Sequence, residues 1–301
     1  MKFKQIVILD NARLSDFAMR DLSDYSEKSI KIFDSDSKTI DETKERLKEA
    51  DCILLSWRTT INKEVLSVST NLKFICLCGT NSNSIDLEEC KKQNVVVSNV
   101  VDYGDEGVVE FIFLELLKLV KGFGKYKWKN SAEELSGKTF GIIGLGVVGK
   151  LLAKAAQGFN MKVLYTAKTR KPELENENML FKDKKEILME SDIISLQTPK
   201  NIKILDKEDF AIINGKILVN TTLGKAFDIN DFKEWIIKPN NFAIMDSASD
   251  KDFFDEFNNL DRVIFSDFIA GLTKEAIDRL SRKVLENVSS FLEGNSINVI
   301  N

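Results

Sequence analysis

The chain has 301 residues, of which 43% are hydrophobic and 30% are charged, so it can bury the cores of about two domains and is neither disordered nor fibrous. Its 43 Lys and Arg residues stand against 47 Asp and Glu, a net charge of -4 that is spread along the chain, which argues against nucleic acid as a main partner. Because the chain contains no histidine, mechanisms that need a histidine base or a histidine-ligated metal are excluded.

Short β-branched runs alternate with amphipathic segments along the first third of the chain. Several of these runs have the length and composition of β-strands: residues 5–9, 29–33, 51–55, 72–76 and 94–98. Amphipathic stretches at 39–50 and 85–93 fall between them and predict helices. A strand followed by a helix, repeated several times, predicts a parallel sheet covered by helices on both faces.

A second series of the same kind follows a long helical pattern at 105–123 and a polar break at 121–136. Its predicted strands share the same β-branched composition: residues 139–143, 162–165, 192–196, 216–220, 242–245 and 262–265. Helices are predicted at 150–159 and, as the last element, at 274–292. The predicted fold class is therefore α/β, with two parallel sheets.

The number and spacing of the cysteines do not suit a disulfide framework: Cys52, Cys76, Cys78 and Cys90. Cys76 and Cys78 lie two apart in an apolar run, which places both thiols on one face of a strand. Because no histidine is available to complete a zinc site, we expect buried structural thiols rather than a metal centre.

Apolar segments of the chain do not predict export or membrane insertion. The run at residues 6–9 is too short for a signal peptide, and the stretch at 111–120 is interrupted by Glu115 and Lys118. We therefore expect a cytoplasmic protein without a membrane partner, in agreement with the reducing environment that the cysteines indicate.

A glycine-rich motif stands at the junction between a predicted strand and a predicted helix. Gly144, Gly146 and Gly149 form a GxGxxG pattern, and Val147 and Val148 lie between the last two glycines. In a dinucleotide-binding unit the first glycine permits a tight turn, the second admits the pyrophosphate and the third lets the helix pack against the strand. The strand before the motif and the helix after it favour a Rossmann-type dinucleotide site over a turn that binds nothing.

The residues after the next strand bear on which dinucleotide would bind. An NAD site normally has an acidic residue there that accepts hydrogen bonds from the ribose 2′-hydroxyl. The corresponding residues here are Lys168, Thr169 and Arg170, and none of them is acidic. Cations and a hydroxyl suit a 2′-phosphate, so the sequence favours NADP(H) over NAD(H). A solvated basic loop that contacts no cofactor is the alternative.

Segments spread over nearly the whole chain resemble one enzyme family. They follow the motif order of the D-isomer-specific 2-hydroxyacid dehydrogenases, the group of glycerate, phosphoglycerate and glyoxylate dehydrogenase types: residues 79–87, 99–110, 191–199, 220–224, 245–246 and 269–273. The segment at 99–110 matches the family's NvpgYnt-aVAE pattern without a gap, and the segment at 191–199 follows SDvvslHvP. The chain is identified by this resemblance as a divergent member of the family.

The resemblance implies an architecture that the order of elements alone does not give. A flavodoxin-like substrate domain would be discontinuous, formed by residues 1–99 plus 275–301, and a dinucleotide-binding Rossmann domain would occupy residues 100–274. The family's architecture also implies a cleft between the domains that takes a small-molecule ligand. Because members of the family pair through their cofactor domains, we expect a homodimer.

On the cofactor side, the resemblance assigns roles to several further residues. Asp246 matches the family residue that receives the nicotinamide carboxamide. Thr198, Pro199 and Thr221 match backbone contacts around the ribose and the nicotinamide. Asp105 stands where the family has a threonine at the start of a helix, and it either caps that helix, which we favour, or adds charge near the nicotinamide.

The catalytic residues of the family are all replaced. Leu223 stands at the position of the substrate-clamping Arg, and Phe268 at that of the proton-exchanging His. The orienting Glu falls near Asp250 or Lys251. Loss of a general acid–base group costs about 10²- to 10⁴-fold in rate, and an unpaired carboxylate in a dry site costs roughly 1–3 kcal/mol. Ordinary 2-hydroxyacid dehydrogenase activity is therefore expected to be absent or very weak.

A few other polar groups are weak candidates for catalytic roles: Arg58, Lys251, Asp267 and Tyr103. Arg58 ends the third predicted strand, where some family members place a substrate-binding Arg, and Asp267 adjoins Phe268. Each of these residues is otherwise a surface or structural residue. A carboxyl group that is ionised near pH 7 is also a poor proton donor.

Three functions remain open on the sequence, and the third in rank is a plain dehydrogenase with a rearranged site in which Asp267 takes the proton role. The first is an NAD(P)(H)-binding oxidoreductase of this family with an altered substrate, in which Arg58, Lys251 or a water manages charge and proton. The second is a catalytically silent dinucleotide-binding protein with a regulatory or assembly role. Cofactor turnover would favour the first, and cofactor binding without turnover would favour the second.

Overall fold

The computed structural model describes residues 1–199, 202–222, 224–247 and 256–301. The chain divides into two compact units, one made of Met1–Tyr103 with Thr273–Asn301 and the other of Gly104–Leu272. We call these the first unit and the second unit. The second unit is therefore an insertion in the sequence of the first, which the carboxyl-terminal segment completes.

Within the described residues, the first unit contains a five-stranded sheet in which all neighbouring strands are parallel. Its strands are β1 (Ile6–Ile8), β2 (Lys31–Ile32), β3 (Cys52–Leu55), β4 (Phe74–Leu77) and β5 (Val96–Ser98). Their order across the sheet is β2-β1-β3-β4-β5. Every residue of β3 and β4 is buried, as expected for strands of a parallel sheet that is covered on both faces.

The helices that connect these strands are short: α1 (Asp16–Asp21), α2 (Ile40–Leu47), α3 (Lys63–Leu66) and α4 (Leu87–Lys92). A 3-10 helix, Leu22–Tyr25, follows α1 directly. Side chains that accept a hydrogen bond from a first-turn amide fix where α2, α3 and α4 begin: Thr39, Asn62 and Asp86. The start of each of these helices is thus encoded locally.

The second unit contains, in the part of the chain that the structure describes, a seven-stranded parallel sheet of order β12-β11-β10-β9-β6-β7-β8. Its strands are β6 (Thr139–Ile143), β7 (Lys162–Thr166), β8 (Met179–Phe181), β9 (Ile193–Leu196), β10 (Ile217–Asn220), β11 (Phe242–Asp246) and β12 (Val263–Ser266). Every residue of β9, β10 and β11 is buried.

The helices of the second unit lie between these strands in sequence: α5 (Asp105–Lys121), α6 (Val147–Gly158), α7 (Lys184–Glu190), α8 (Lys207–Ile212) and α9 (Ile229–Ile236). A 3-10 helix, Pro172–Leu174, precedes β8. Capping boxes at Asp183 and Asp206 fix the starts of α7 and α8.

The last helix, α10 (Lys274–Leu292), belongs to the first unit. Thr273 caps it by accepting a hydrogen bond from the Ala276 amide at 3.1 Å. Near its end, the Phe291 ring stacks on Phe74 of β4 and on Phe3, with ring centroids 4.6 and 5.4 Å apart. This aromatic cluster attaches the carboxyl-terminal helix to a sheet built from the amino-terminal residues.

The predicted fold class, α/β with two parallel sheets, is confirmed. The sequence pattern does not predict β8, because three residues at the edge of a sheet are too few to show a period. The helix after the glycine motif begins at Val147 rather than at residue 150. The expectation that Asp105 caps α5 is wrong, because Gly104 is the N-cap and Asp105 is the first helical residue. The negative charge of Asp105 in the first turn still interacts favourably with the helix dipole.

All four cysteines are buried and free, as expected. Burial raises the pKa of the Cys90 thiol to about 12. In the described ranges, no group of three or more Cys, Asp or Glu residues is arranged to hold a metal ion. None of the described helices combines the length and the apolar character needed to cross a bilayer.

Candidate functional site

The turn between β6 and α6 is shaped by two glycines that tolerate no side chain. Gly144 has φ +107°, and a Cβ built there would lie 2.0 Å from the Gln197 carbonyl oxygen. A Cβ at Gly149 would lie 2.3 Å from the carbonyl oxygen of Gly144. The first glycine therefore lets the turn pass against the end of β9, and the third lets α6 lie close to the turn.

Gly146, the middle glycine of the motif, has a different environment. A Cβ built there would meet nothing within 4 Å. Gly146 is also the N-cap of α6 and offers no side chain to its first amides. An uncapped helix start beside open space is the arrangement that binds phosphate groups. These residues therefore fit the pyrophosphate of a dinucleotide, while the adjacent Val147 is 46% exposed.

The ends of β9 and β10 supply polar groups near this turn. Gln197 Nε2 donates to Ser195 Oγ at 3.0 Å and to Thr221 Oγ1 at 3.3 Å. Thr198 Oγ1 is buried and has no hydrogen-bond partner among the described residues, whereas Pro199 is exposed. A buried hydroxyl without a partner suits a site that a polar ligand completes.

Gln197 is a site residue that the sequence interpretation missed. It stands at the histidine of the SDvvslHvP pattern, and its carbonyl oxygen is the atom that Gly144 approaches. The departure from the family pattern at this position was a signal that could have singled it out. In the structure its side chain joins the ends of β9 and β10.

Asp246 ends β11 and is 1% exposed. Its Oδ2 accepts a hydrogen bond from the Ala270 amide at 2.8 Å. The Ser247 amide donates to the Phe268 carbonyl oxygen at 3.3 Å, and the Phe268 side chain is 75% exposed. The carboxylate thus holds the segment that carries Phe268 beside the end of β11.

The basic residues after β7 lie on the surface, where Lys168, Thr169 and Arg170 are all exposed. Arg170 forms a bidentate ion pair with Glu175, in which Nε donates to Oε1 and Nη2 donates to Oε2, both at 2.7 Å. The Tyr165 hydroxyl donates to the same Glu175 Oε1 at 2.9 Å. The hydrogen bonds from Arg170 are the main cause that lowers the pKa of Glu175 to about 2.

Glu175 neutralises part of the positive charge of this segment, which the sequence pattern does not indicate. It lies five positions after Arg170 along the chain, so no helical or strand spacing pointed to the pair. One of the cations expected to meet a 2′-phosphate already has a carboxylate partner. Two of the five N–H donors of its guanidinium are used in that pair.

In the first unit, a buried carboxylate organises the carboxyl edge of the sheet. Asp10 is fully buried and accepts hydrogen bonds from the Ser56 amide at 2.8 Å, the Ser56 hydroxyl at 3.0 Å and the Thr59 hydroxyl at 2.5 Å. It therefore ties the loop after β1 to the loop after β3. The second loop carries Trp57 and Arg58 between those contacts.

Arg58 is fixed by partners on two other loops. Its Nη2 donates to the Asn11 carbonyl oxygen at 3.1 Å, and its Nε lies 3.2 Å from Asp36 Oδ1. Arg58 belongs to the first unit, whereas the exposed Asp267 belongs to the second.

The remaining catalytic positions of the sequence analysis lie outside the described residues: Leu223, Asp250 and Lys251. The predicted cofactor residues, by contrast, fall at or just beyond the carboxyl ends of β6, β7, β9, β10 and β11. Those strand ends share one edge of the parallel sheet, where open α/β folds bind ligands.

Comparisons with known proteins agree with these motifs. Residues 6–301 match the family model described as D-isomer specific 2-hydroxyacid dehydrogenase, catalytic domain. The chain is 30% identical to a glyoxylate reductase of Thermococcus litoralis over 83% of each chain. It is 28% identical to a hydroxypyruvate reductase of Blautia hydrogenotrophica over 90% of this chain and 91% of that one. The D-lactate dehydrogenase of Aquifex aeolicus, solved with NAD and lactic acid, is 26% identical over 97% of this chain and 96% of that one, with a TM-score of 0.78.

Proposed function

Since the chain belongs to the D-isomer-specific 2-hydroxyacid dehydrogenase family, we propose that it is an NADP(H)-binding oxidoreductase of that family with an altered substrate. Its ordinary 2-hydroxyacid dehydrogenase activity is absent or very weak. The dinucleotide site is kept, and the groups with which the family exchanges a proton and clamps a carboxylate are replaced.

The observation that carries this proposal is a contrast between backbone and side chains. The turn at Gly144 and Gly146 combines a close approach to β9 with open space at an uncapped helix start. The family's histidine position holds Phe268, and the chain contains no histidine anywhere. An apolar, exposed ring cannot give or take the proton that accompanies hydride transfer.

A bound dinucleotide would supply the hydride, and the residues of this chain would hold and orient it. The amides at the start of α6 would bind the pyrophosphate, and the buried Thr198 hydroxyl would gain a polar partner. Asp246, fixed by the Ala270 amide, would position the carboxamide of the nicotinamide. Arg58, Lys251 or a water would manage charge and proton.

The preference for NADP(H) rests on Lys168, Thr169 and Arg170 beyond β7. Glu175 holds the Arg170 guanidinium in one orientation, and the N–H groups that this pair leaves over suit a phosphate oxygen. Lys168 adds an exposed charge without a carboxylate partner in the described part of the chain. A 2′-phosphate would thus contact the Arg170 guanidinium, which Glu175 orients, and the Lys168 ammonium group.

A catalytically silent dinucleotide-binding protein is the second candidate function. The replacement of all three family catalytic residues favours it. In this role, binding of the dinucleotide would itself be the signal to a partner or an assembly.

A homodimer formed through the second unit is part of the proposal. The second unit exposes Leu114 in α5 and Phe123 just beyond it, at 55% and 71%. Apolar side chains of this size are common at subunit interfaces. Light scattering on the purified protein tests this point, and a monomer at micromolar concentration would contradict it.

The experiment that tests the proposed function measures binding and turnover separately. NADPH and NADH are titrated by the fluorescence of the reduced nicotinamide, and NADPH oxidation is then followed with a panel of 2-oxo acids, aldehydes, imines and enones. We expect NADPH to bind more tightly than NADH and at least one panel member other than glyoxylate or hydroxypyruvate to be reduced. Binding without any turnover would favour the silent protein, and failure of both dinucleotides to bind would refute both candidates.

A further inference from the structure

A segment that follows α10 covers the open side of one outer strand in the first unit. β5 is the outermost strand on one side of the five-stranded sheet, and its Ser98 forms an antiparallel bridge with Val299. The Ile300 amide donates to the Val97 carbonyl oxygen at 2.9 Å. Residues 297–301, which we call the closing segment, thus pair in antiparallel fashion with a sheet whose described strands are parallel to one another.

The side chain of Asn301 takes part in this pairing as a peptide group would. Its Oδ1 accepts a hydrogen bond from the Val97 amide at 2.9 Å, and its Nδ2 donates to the Val95 carbonyl oxygen at 2.7 Å. Farther along the same strand, the Asn99 amide donates to the Asn298 carbonyl oxygen at 3.2 Å. The backbone groups on the open side of β5 therefore find their partners in the closing segment.

A buried amide makes the open side of β5 selective for the strand that occupies it. Asn287 of α10 is fully buried, and its Nδ2 donates to the Asn99 carbonyl oxygen at 3.0 Å. Its Oδ1 accepts a hydrogen bond from Asn298 Nδ2 at 2.8 Å. Because a buried acceptor without a partner is costly, an occupying strand has to present a donor where Asn298 stands. Together with Asn301, this requirement describes a strand with amide side chains three positions apart.

The closing segment is held less firmly than the strand that it covers. Val95, Val97 and Ser98 are at most 2% exposed. In contrast, every residue of 297–301 is half-buried or exposed, and Val299 is 44% exposed. The net stabilisation from solvent-exposed hydrogen bonds is small, and the entropy lost when the backbone is ordered offsets it. We therefore expect the closing segment to open locally while β5 stays folded.

The link between α10 and the closing segment permits such an opening. The helix ends at Leu292, and Glu293, Gly294 and Asn295 are exposed. Gly294 has φ +81°, and a Cβ built there would meet nothing within 4 Å, so the surroundings of this link do not fix its direction. Exchange of an identical element through such a link is a low-cost route to the association of two copies of a chain.

We propose that the open side of β5 is a strand-binding site that takes the closing segment of a second copy of this chain in exchange for its own. The second copy fits because its Asn298 and Asn301 make the same hydrogen bonds with the same partners. The two arrangements then differ mainly in effective concentration, which is on the order of millimolar for a short flexible link. The exchanged form is therefore a minor species at micromolar protein, and its share increases with protein concentration. The site lies within the first unit and depends on neither the proposed reaction nor the proposed homodimer.

The test traps the exchanged form as a disulfide. Ser98 and Val299 form a non-hydrogen-bonded pair, because the hydrogen bonds on either side run between their neighbours. The Cα atoms of such pairs are about 4.5 Å apart, which lies within the range of disulfides. One preparation of the full chain carries Ser98→Cys, the other carries Val299→Cys and a heavy-isotope label, and the native cysteines are all buried. The two are mixed and mildly oxidised, and mass spectrometry of linked peptides detects a disulfide between position 98 of one chain and position 299 of the other.

We expect this disulfide between chains to form, and its yield to rise with protein concentration. Using Val68→Cys in place of Val299→Cys, which puts the thiol at another exposed valine of the first unit, measures the background of random collisions. Adding Asn301→Ala to the labelled chain should lower the yield about tenfold, because two hydrogen bonds to β5 are lost. Adding Asn295→Ala instead, at an exposed position in the link, should leave the yield unchanged.

A chain that carries both Ser98→Cys and Val299→Cys should close the disulfide within itself, and failure to do so would contradict the pairing on which the proposal rests. Three other results would overturn the exchange between copies. They are a yield between chains no higher than the Val68→Cys background, a yield that does not change with protein concentration, and equal yields with Asn295→Ala and Asn301→Ala. NADPH binding measured on the same preparations keeps this result separate from the proposed function.

Discussion

The carboxyl edges of the two sheets are built by different means. In the second unit the edge is shaped by backbone: the Gly144 amide donates to the Thr166 carbonyl oxygen at 2.9 Å, and the Gln197 carbonyl oxygen leaves no room for a side chain on Gly144. In the first unit it is shaped by a side chain, the buried Asp10 carboxylate that ties two loops together.

This difference shows why one half of a family's chemistry can persist while the other is lost. Phosphate binding at a helix start depends on backbone amides, which substitutions outside the glycines leave in place unless they introduce proline. Proton exchange and carboxylate binding depend on single side chains, and one substitution at each position removes them. A divergent member is therefore expected to keep its dinucleotide site longer than its catalytic residues.

The largest expected effect comes from the backbone of the second unit. Gly144→Ala places a Cβ 2.0 Å from the Gln197 carbonyl oxygen at φ +107°, so we expect NADPH binding to weaken about 100-fold or more, the equivalent of roughly 3 kcal/mol. Nicotinamide fluorescence titration measures the affinity, and thermal unfolding is expected to show a clear loss of stability.

Gly146→Ala and Gly158→Ala are the matched controls for that result. A Cβ at either position meets nothing within 4 Å, so neither variant should lose stability. Gly146→Ala is nonetheless expected to weaken NADPH binding about tenfold, because the added methyl occupies the space of the pyrophosphate. Gly158→Ala should bind as the unmodified chain does. Equal NADPH affinities of the Gly146 and Gly158 variants would contradict binding of the pyrophosphate at this turn.

The next effect is expected in the first unit. Asp10→Ala leaves the Ser56 amide, the Ser56 hydroxyl and the Thr59 hydroxyl without their acceptor, and we expect a loss of about 3 kcal/mol in the free energy of unfolding. Asp10→Asn should cost less, since its oxygen can still accept from the amide and both hydroxyls can rotate to accept from its NH₂. Urea unfolding compares the variants. Equal losses would mean that the negative charge, rather than the hydrogen bonds, stabilises the loops.

A smaller effect on NADPH affinity is expected from the basic residues that follow β7. Replacing both Lys168 and Arg170 by Ala should weaken NADPH binding about tenfold and leave NADH nearly unchanged, because only NADPH carries the 2′-phosphate. Glu175→Gln frees the Arg170 fork and should retain the NADPH preference. Competitive titration of the two dinucleotides measures both effects. An equal loss for NADH would mean that these residues act on the fold rather than on the phosphate.

The smallest effect is the pH dependence that Glu175 contributes. Its pKa of about 2 in the folded chain lies below the ordinary 4.5, so its pairing stabilises the fold fully above about pH 4.5. That contribution falls as the pH drops from about 4.5 toward 2, where the carboxyl group takes up a proton. Unfolding of the unmodified chain and of Glu175→Gln should therefore differ by a constant amount near neutrality and converge in acid. A gap that widens in acid would contradict the pairing.

The sequence was sufficient to predict what depends on local pattern. Strands such as β6 and the start of α10 at Lys274 were predicted at their observed residues, because β-branched runs and a Thr cap define them. The GxGxxG turn was predicted from its glycines and flanks alone. Asp10 was not recognised, since its partners Ser56 and Thr59 lie on a loop that is distant in sequence and meets it only in the folded chain.

The pairing of Arg170 shows the same limit within one segment. The sequence shows a run of basic residues after β7. Glu175 contacts that run only because the 3-10 turn at Pro172–Leu174 reverses the chain and the Tyr165 hydroxyl donates to the Glu175 carboxylate. The charge available to a ligand is thus a tertiary property, even where the charged residues are neighbours.

The most direct test of the central claim compares glyoxylate reduction by the unmodified chain and by the double variant Leu223→Arg, Phe268→His, with NADPH binding measured on both. The account predicts that both proteins bind NADPH, that the unmodified chain shows little or no turnover, and that the double variant gains about tenfold or more, since it restores the carboxylate clamp and the acid–base group. Turnover of glyoxylate by the unmodified chain at about 1–10³ s⁻¹, the range of ordinary enzymes, would contradict it.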